Sequence, residues 1–343
     1  MTSTPTTSAL RPLAMGEMID RSVAFWRGHL KPLFVLSLGY TLMGYIIAKT
    51  MVVATQRWTP LLYSPERDEI AKSDPTAMMG QVGLMTALWG GMFVLVIWIY
   101  WFAMVATARY VASAQLGTPV SAADGLRRAL SQVGPLTGAY LLSLGWACLI
   151  TLLLVLPGGL MLFGGAVLVA AKSNILGAVL VGVGTLLAVL GVFAAMLWYF
   201  LRFLLLPPVL AMEDLGAWAA FKRSGSLLSG RVEPGFLGRV VVRAMILFTV
   251  VSLILLSLHF VFTIPSWLVM LPYGSPFDAS TLARTPQYLL VPVEILQAVA
   301  QAIFSPVNFV FCTLFYLDMR VRREALDLEQ RLGAPEPSSP QAA

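Results

Sequence analysis

Residues Pro207–Arg231 read PPVLAMEDLGAWAAFKRSGSLLSGR, a polar and positively charged island in a very apolar chain. The island begins where one long apolar run ends in LWYFLRFLLL (197–206), and it stops just before another opens near Phe236. Read as a helix from about Leu215, it sets Trp218, Phe221, Gly225 and Leu228 on one face, with Lys222, Arg223 and Ser226 off it. Spacing of three and four suits a helix lying on a membrane surface. A cationic amphipathic linker between two runs of spanning length decides the fold class: an all-α integral membrane protein.

Composition agrees. Hydrophobic residues make up 58% of the chain and Asp, Glu, Lys and Arg only 12%, whereas a soluble domain is about a quarter charged. The apolar surface is too large for a water-soluble core. The net charge of +6 does not point to nucleic acid, because the basic residues sit beside apolar runs and form no separate basic domain. Anionic lipid head groups and membrane topology account for them better. Cys148 and Cys312 lie in apolar runs, are 164 positions apart and read as small apolar fillers. With His29 and His259 as the two histidines, neither a metal centre nor a disulfide framework is expected. The polar N-terminus MTSTPTTSAL has no signal-peptide core, so the first span is expected to be a retained anchor.

Working outward, six spans are expected at about 33–55, 82–105, 136–156, 175–201, 240–262 and 288–317. Residues 1–10 and 333–343 read as disordered, and 11–332 as a single polytopic membrane domain. Two further amphipathic segments precede spans. In Pro12–Leu30, Met15, Ile19, Val23, Trp26 and Leu30 share a face; in Thr118–Gly134, Ala122, Leu126, Ala129 and Val133 do so opposite Arg127 and Arg128. Ser121-Ala-Ala-Asp124 has the form of a capping box. Pro32 and Pro135 are expected to break the chain before the spans that follow. The loops 56–81 and 263–285 read as water-exposed. The aromatic group Trp98, Tyr100, Trp101 and Phe102 suits a membrane interface. In the sixth span, Pro292 and Pro306 predict kinks.

The piece 158–172 is apolar, but its core LMLFGGAVLVAA is too short to cross about 30 Å of hydrocarbon alone. It reads as re-entrant, a kink or a helix extension. Charge parity gives the same answer. Lys and Arg concentrate in 11–32, 106–135, 202–243 and the C-terminal flank, which the positive-inside rule places in the cytoplasm with both termini. A seventh crossing at 158–172 would put Arg223 on the wrong side.

The layout of amphipathic helix, span and return span occurs three times, which suggests a threefold internal repeat. The first two copies share words: LSLGY (36–40) follows Pro12 by 24 residues, and LSLGW (142–146) follows Pro119 by 23.

Three motifs carry a resemblance: RPLAMGEMIDR (11–21); Pro208 with Glu213, AFKRS (220–224), Leu227 and Gly230; and YLDMRVRREALD (316–327). Together they resemble the membrane domain of glycerophosphoryl diester phosphodiesterases and their YciC-like relatives in bacteria and archaea. Lys222 departs from the second Arg common in that family, and Ala325 from a Gly. The resemblance implies a six-helix domain of the bacterial inner membrane, without the phosphodiesterase chemistry, which belongs to a separate soluble barrel.

Two candidate sites follow. Glu17, Asp20, Arg21, Glu213, Asp214, Arg223, Asp318, Arg320 and Arg322 all fall at the expected inner face, where acid–Arg pairs would form a collar. Glu294 is the acidic residue well inside a span, and Gln297 and Gln301 extend it as an intramembrane polar stripe. Glu294 is expected to snorkel or pair, and Lys49 and Arg243 to sit at interfaces. Gly177, Gly184 and Gly191, seven residues apart, read as a packing face. No GxSxG, HExxH, Walker A or CxxC motif is present, so no catalytic residue, cofactor or metal is expected, and the chain does not read as an enzyme. The leading reading is a membrane scaffold or accessory factor that meets lipids, protein partners or a second copy through its amphipathic helices. The other is a transporter or channel for a small or amphiphilic solute, using the polar stripe and the glycine-lined fourth span. A cavity reaching Glu294 separates them.

Overall fold

The computed structural model describes residues 11–63, 69, 73–232, 234–236, 238–277, 281 and 284–324; the termini read as disordered, 1–10 and 333–343, lie outside them. Among the described residues there is no strand, and eleven α-helices follow one another: α1 Met15–Gly28, α2 Leu30–Trp58, α3 Pro75–Gln115, α4 Ala122–Ser131, α5 Val133–Ala170, α6 Asn174–Phe203, α7 Leu206–Met212, α8 Ala217–Leu228, α9 Val240–Met270, α10 Gln287–Phe304 and α11 Pro306–Glu324. Six stretches are long and apolar enough to cross a membrane: Leu30–Trp58, Thr76–Gln115, Val133–Ala170, Asn174–Met212, Val240–Tyr273 and Gln287–Glu324. Helices dominate because a backbone in hydrocarbon must satisfy its own N–H and C=O groups. The protein is therefore a polytopic all-α membrane protein.

Several boundaries differ from expectation for identifiable reasons. Pro32 and Pro135 do not break the chain. Each is the third residue of its helix, where the missing N–H has no intrahelical partner to lose. The breaks fall just before, at His29 and Gln132. The expected loops shrink, because α2 runs on to Trp58, α3 starts at Pro75 and α9 continues through Pro265 to Met270. Asp74 caps α3 by accepting from the Ala77 N–H at 3.0 Å. The piece 158–172 is no re-entrant segment. It is the C-terminal part of one helix of 38 residues that passes through Pro157. Pro292 is likewise accommodated within α10, whereas Pro306 opens a new helix after a break at Ser305.

The chain forms two compact units, Met1–Ser131 with Leu247–Leu317, and Gln132–Ile246 with Asp318–Ala343. In the first, α2 packs on α3 and α10, and α4 packs on α3. Gly125 of α4 sits against the Ala106 carbonyl of α3, where no Cβ fits. The Ser121–Asp124 capping box forms as expected: the Ser121 N–H and hydroxyl donate to Asp124 at 2.9 and 2.7 Å, and the Asp124 N–H returns to Ser121 Oγ at 3.2 Å. The Ser121 side-chain bond, then its backbone bond, hold the Asp124 carboxyl below the usual range. Of the expected apolar face of α4, Ala129 is buried, together with Gly125, while Leu126 is exposed. On α1 the buried residues are Met18, Ser22 and Phe25, one position round from the expected face. The Trp26 indole N–H donates to the Ile303 carbonyl at 2.8 Å, next to the α10–α11 break. Trp101 is buried and Tyr100 lines a cavity, so this aromatic group is not simply an interfacial belt.

In the second unit, α5 and α6 form a long hairpin. Gly158 and Gly165 of α5 meet Gly177 and Gly184 of α6 backbone to backbone, and a Cβ at Gly184 would stand 2.7 Å from the Leu162 nitrogen. The glycine face of the fourth span is thus filled by its neighbour and lines no passage. Helix α7 is buried from Leu206 to Ala211, and α8 lies on α5, α6 and α7. Phe221, Gly225 and Leu228 of α8 are buried with Ala220, Ser224 and Leu227, while Trp218 is 52% exposed. The apolar face of α8 is therefore covered by protein, not left for a membrane surface. Gly225 leaves room for the Arg202 guanidinium, and Ser224 Oγ donates to the Arg202 carbonyl at 3.1 Å.

Candidate functional site

The first unit carries a polar site inside its membrane helices. Glu294 is seven residues into α10, and Lys49 is nine residues before the end of the antiparallel α2. At about 1.5 Å per residue these offsets put the two at similar depth, about 10–14 Å inside the helix ends. Lys49 Nζ donates to both Glu294 oxygens, at 2.9 and 2.7 Å, and the Tyr45 hydroxyl adds a bond to Oε2 at 3.1 Å. Both charged side chains are 22% exposed. Glu294 thus pairs, as one of the two expected outcomes. Lys49, expected near an interface, is the counter-ion of Glu294, because an unpaired carboxylate within a membrane helix is costly. One turn and two turns further on, Gln297 and Gln301 continue the stripe. Gln297 Nε2 donates to Thr263 Oγ1 at 3.0 Å, and its other close neighbour is His259 Nε2 at 3.5 Å.

Two cavities open on this stripe. The first, about 410 Å³, is walled on one side by Tyr45, Lys49, Glu294, Gln297 and Gln301, and on the other by Met92, Phe93, Val96 and Ile99. The second, about 320 Å³, has the Tyr100, Ser252, Ser305 and Asn308 side chains with Leu255, Phe262 and Phe304. Tyr40, Gln297 and Gln301 belong to both. Asn308 Nδ2 donates to the Tyr100 hydroxyl at 2.7 Å, leaving its Oδ1 with only a distant Cys312 thiol at 3.9 Å. The Tyr40 and Ser305 hydroxyl oxygens are buried and face each other, and neither makes a hydrogen bond of good geometry among the described residues.

Sequence reasoning missed Tyr40, Tyr45, Thr263, Ser305 and Asn308. The signal was present. Glu294, Gln297, Gln301, Ser305 and Asn308 keep a spacing of three and four across the Pro306 break, and Thr41, Tyr45 and Lys49 are four apart. His259 was read as structural, yet it lines the second cavity.

The second unit holds the other candidate group. Arg223 Nε donates to Glu213 at 3.0 and 3.2 Å, and its NH2 group pairs with Glu324, which also accepts from Arg320 Nε at 2.9 Å. Burial pulls the Arg223 pKa down, but hydrogen bonds and charge from Glu213 and Glu324 outweigh it and hold the guanidinium protonated. Asp318 is 2% exposed and accepts from Arg322 Nε at 3.0 and 3.1 Å, with Arg243 3.6 Å away. Arg243, expected at an interface, is therefore 2% exposed beside a carboxylate. Glu324 was not foreseen as a member. In the first unit, Glu17 pairs with nearby Arg11, Arg21 donates to Gln115 Oε1 at 3.0 Å, and Asp20 is exposed. The expected collar residues thus form separate groups: Glu213, Arg223, Asp318, Arg320 and Arg322 around Glu324 and Arg243, Glu17 with Arg11 just before α1, and Arg21 with Gln115 at the end of α3. Cys312 is buried as an apolar filler, whereas Cys148 is exposed. Among the described residues no cluster of His, Cys, Asp and Glu could hold a metal ion.

Comparison with family models, curated proteins and solved structures finds no match to this chain.

Proposed function

We propose that this chain is a non-enzymatic inner-membrane protein of bacterial type that binds and passes a small or amphiphilic solute through the cavity at Lys49 and Glu294. The observation that carries this reading is the cavity of about 410 Å³ that reaches the Glu294 carboxylate, with one polar and one apolar wall. Concave sites with an apolar lining and a few convergent polar groups are the usual form of small-ligand sites, and ionisable residues at membrane depth usually mark a substrate path. Both termini and the Arg-rich linkers lie in the cytoplasm in this reading, facing anionic head groups, which agrees with an even number of crossings. The likeness to the phosphodiesterase membrane domain fits the same arrangement.

The test is thiol accessibility. Single cysteines at Gly44, Tyr45 and Gln297, in a Cys148→Ser/Cys312→Ala background, should react with a membrane-impermeant methanethiosulfonate from one face of the membrane. Silence at all three from both faces would refute a solute path.

The ion-pair group around Arg223 and Asp318 favours a second reading, a scaffold that meets partners through α8 and α11. Arg223→Glu separates the two. A scaffold built on these pairs loses function or membrane level, whereas a folded Arg223→Glu protein with full function leaves the solute reading alone.

A further inference from the structure

The second cavity differs from the first in one respect that decides its ligand. Among the described residues, no carboxylate, lysine or arginine lines it. Its polar groups are hydroxyls, carboxamides and the His259 imidazole. A charged ligand would lose its hydration there with no counter-charge in reach, which costs far more than burying a neutral polar group. The neutral groups, in turn, are poorly satisfied: the buried Tyr40 and Ser305 hydroxyls have only each other, short of good geometry, and Asn308 Oδ1 has only a thiol among the described residues. Such atoms favour a ligand that both donates and accepts hydrogen bonds. The remainder of the lining is apolar and aromatic, with Leu255, Leu256, Phe262 and Phe304. Leu256 stands at the middle of α9 and is 49% exposed, so the rim meets hydrocarbon at mid-span.

We infer that this cavity binds an uncharged, hydrogen-bonding head group, a hydroxyl or carboxamide, on a ligand whose apolar part lies along Phe262 and Phe304. The head group contacts Tyr40, Gln301, Ser305 and Asn308. The inference rests on the solute-handling reading and names the chemistry of the solute. Tyr40, Gln297 and Gln301, shared with the charged cavity, form the partition such a ligand passes.

The experiment uses the full chain in phosphatidylcholine nanodiscs and three photoreactive probes of equal chain length: a diazirine-bearing long-chain alcohol, the matching fatty acid and the matching alkylamine. The alcohol should label peptides of α9, α10 and α11 in preference to both charged probes. Ser305→Ala and Gln301→Leu should each cut that labelling about tenfold, the effect of one hydrogen bond in a desolvated site. Excess unlabelled long-chain alcohol competing where glycerol does not means supply from the bilayer; competition by glycerol means supply from water. Either result supports the head-group assignment. Equal or stronger labelling by the acid or the amine, or labelling unchanged in variants that elute as folded protein, overturns it. If thiol accessibility at Gly44 persists in that case, the solute path stands and only the ligand class falls.

Discussion

Lys49 and Glu294 show how a membrane interior fixes side-chain identity. Each charge alone at that depth is costly, and the pair makes it tolerable through two hydrogen bonds from Lys49 and one from Tyr45. Removing one member leaves the other uncompensated, which costs about 3–5 kcal/mol for a buried pair, while replacing both by apolar residues is often neutral. Lys49→Met and Glu294→Leu should therefore each lower the thermal midpoint in detergent, and the double variant should recover most of the loss. Additive losses would show that the two side chains do not depend on each other. Asp318 and Arg243 obey the same rule at lower exposure.

Among the elements, the α5–α6 hairpin gives the clearest case of packing by absence. Without a hydrophobic drive between helices in lipid, close backbone approach supplies the attraction, and glycine permits it. A side chain at Gly184 meets Leu162 N and the Gly158 carbonyl at 2.7 and 2.9 Å, whereas one at Gly182 meets nothing within 4 Å. Gly184→Val should split the hairpin and strongly reduce the yield of monodisperse protein by size exclusion. Gly182→Val carries the same β-branched side chain and should be tolerated. Equal behaviour of the two would remove glycine contact as the cause. The hairpin also explains why 158–172 left three readings open, of which helix extension holds: an apolar extension with glycines looks the same in sequence whether it re-enters or continues, and only the facing glycines of α6 settle it.

For the whole molecule, six apolar crossings require Lys172 and Ser173, at the α5–α6 turn, to lie across the membrane from Arg127 and Arg128. Single cysteines at Ser173 and Ser131 should label with impermeant reagent from opposite faces, and labelling from the same face would remove one crossing. The class, the six crossings, the three short helices before spans and the Ser121–Asp124 cap were all legible in the sequence. They rest on composition and on periodicity along one helix, which are local. The partners of Glu294, the covered face of α8, the burial of Arg243 and the two cavities were not legible. Each depends on which residues of distant segments meet, Lys49 with Glu294 or Glu324 with Arg223, and in apolar helices of near-uniform composition no hydrophobic pattern singles out the facing side. The sequence determined that this chain lives in a membrane and how often it crosses; the tertiary structure decided which of its few polar groups are brought together there, because the cost of leaving them unpaired in hydrocarbon acts only once the helices have packed.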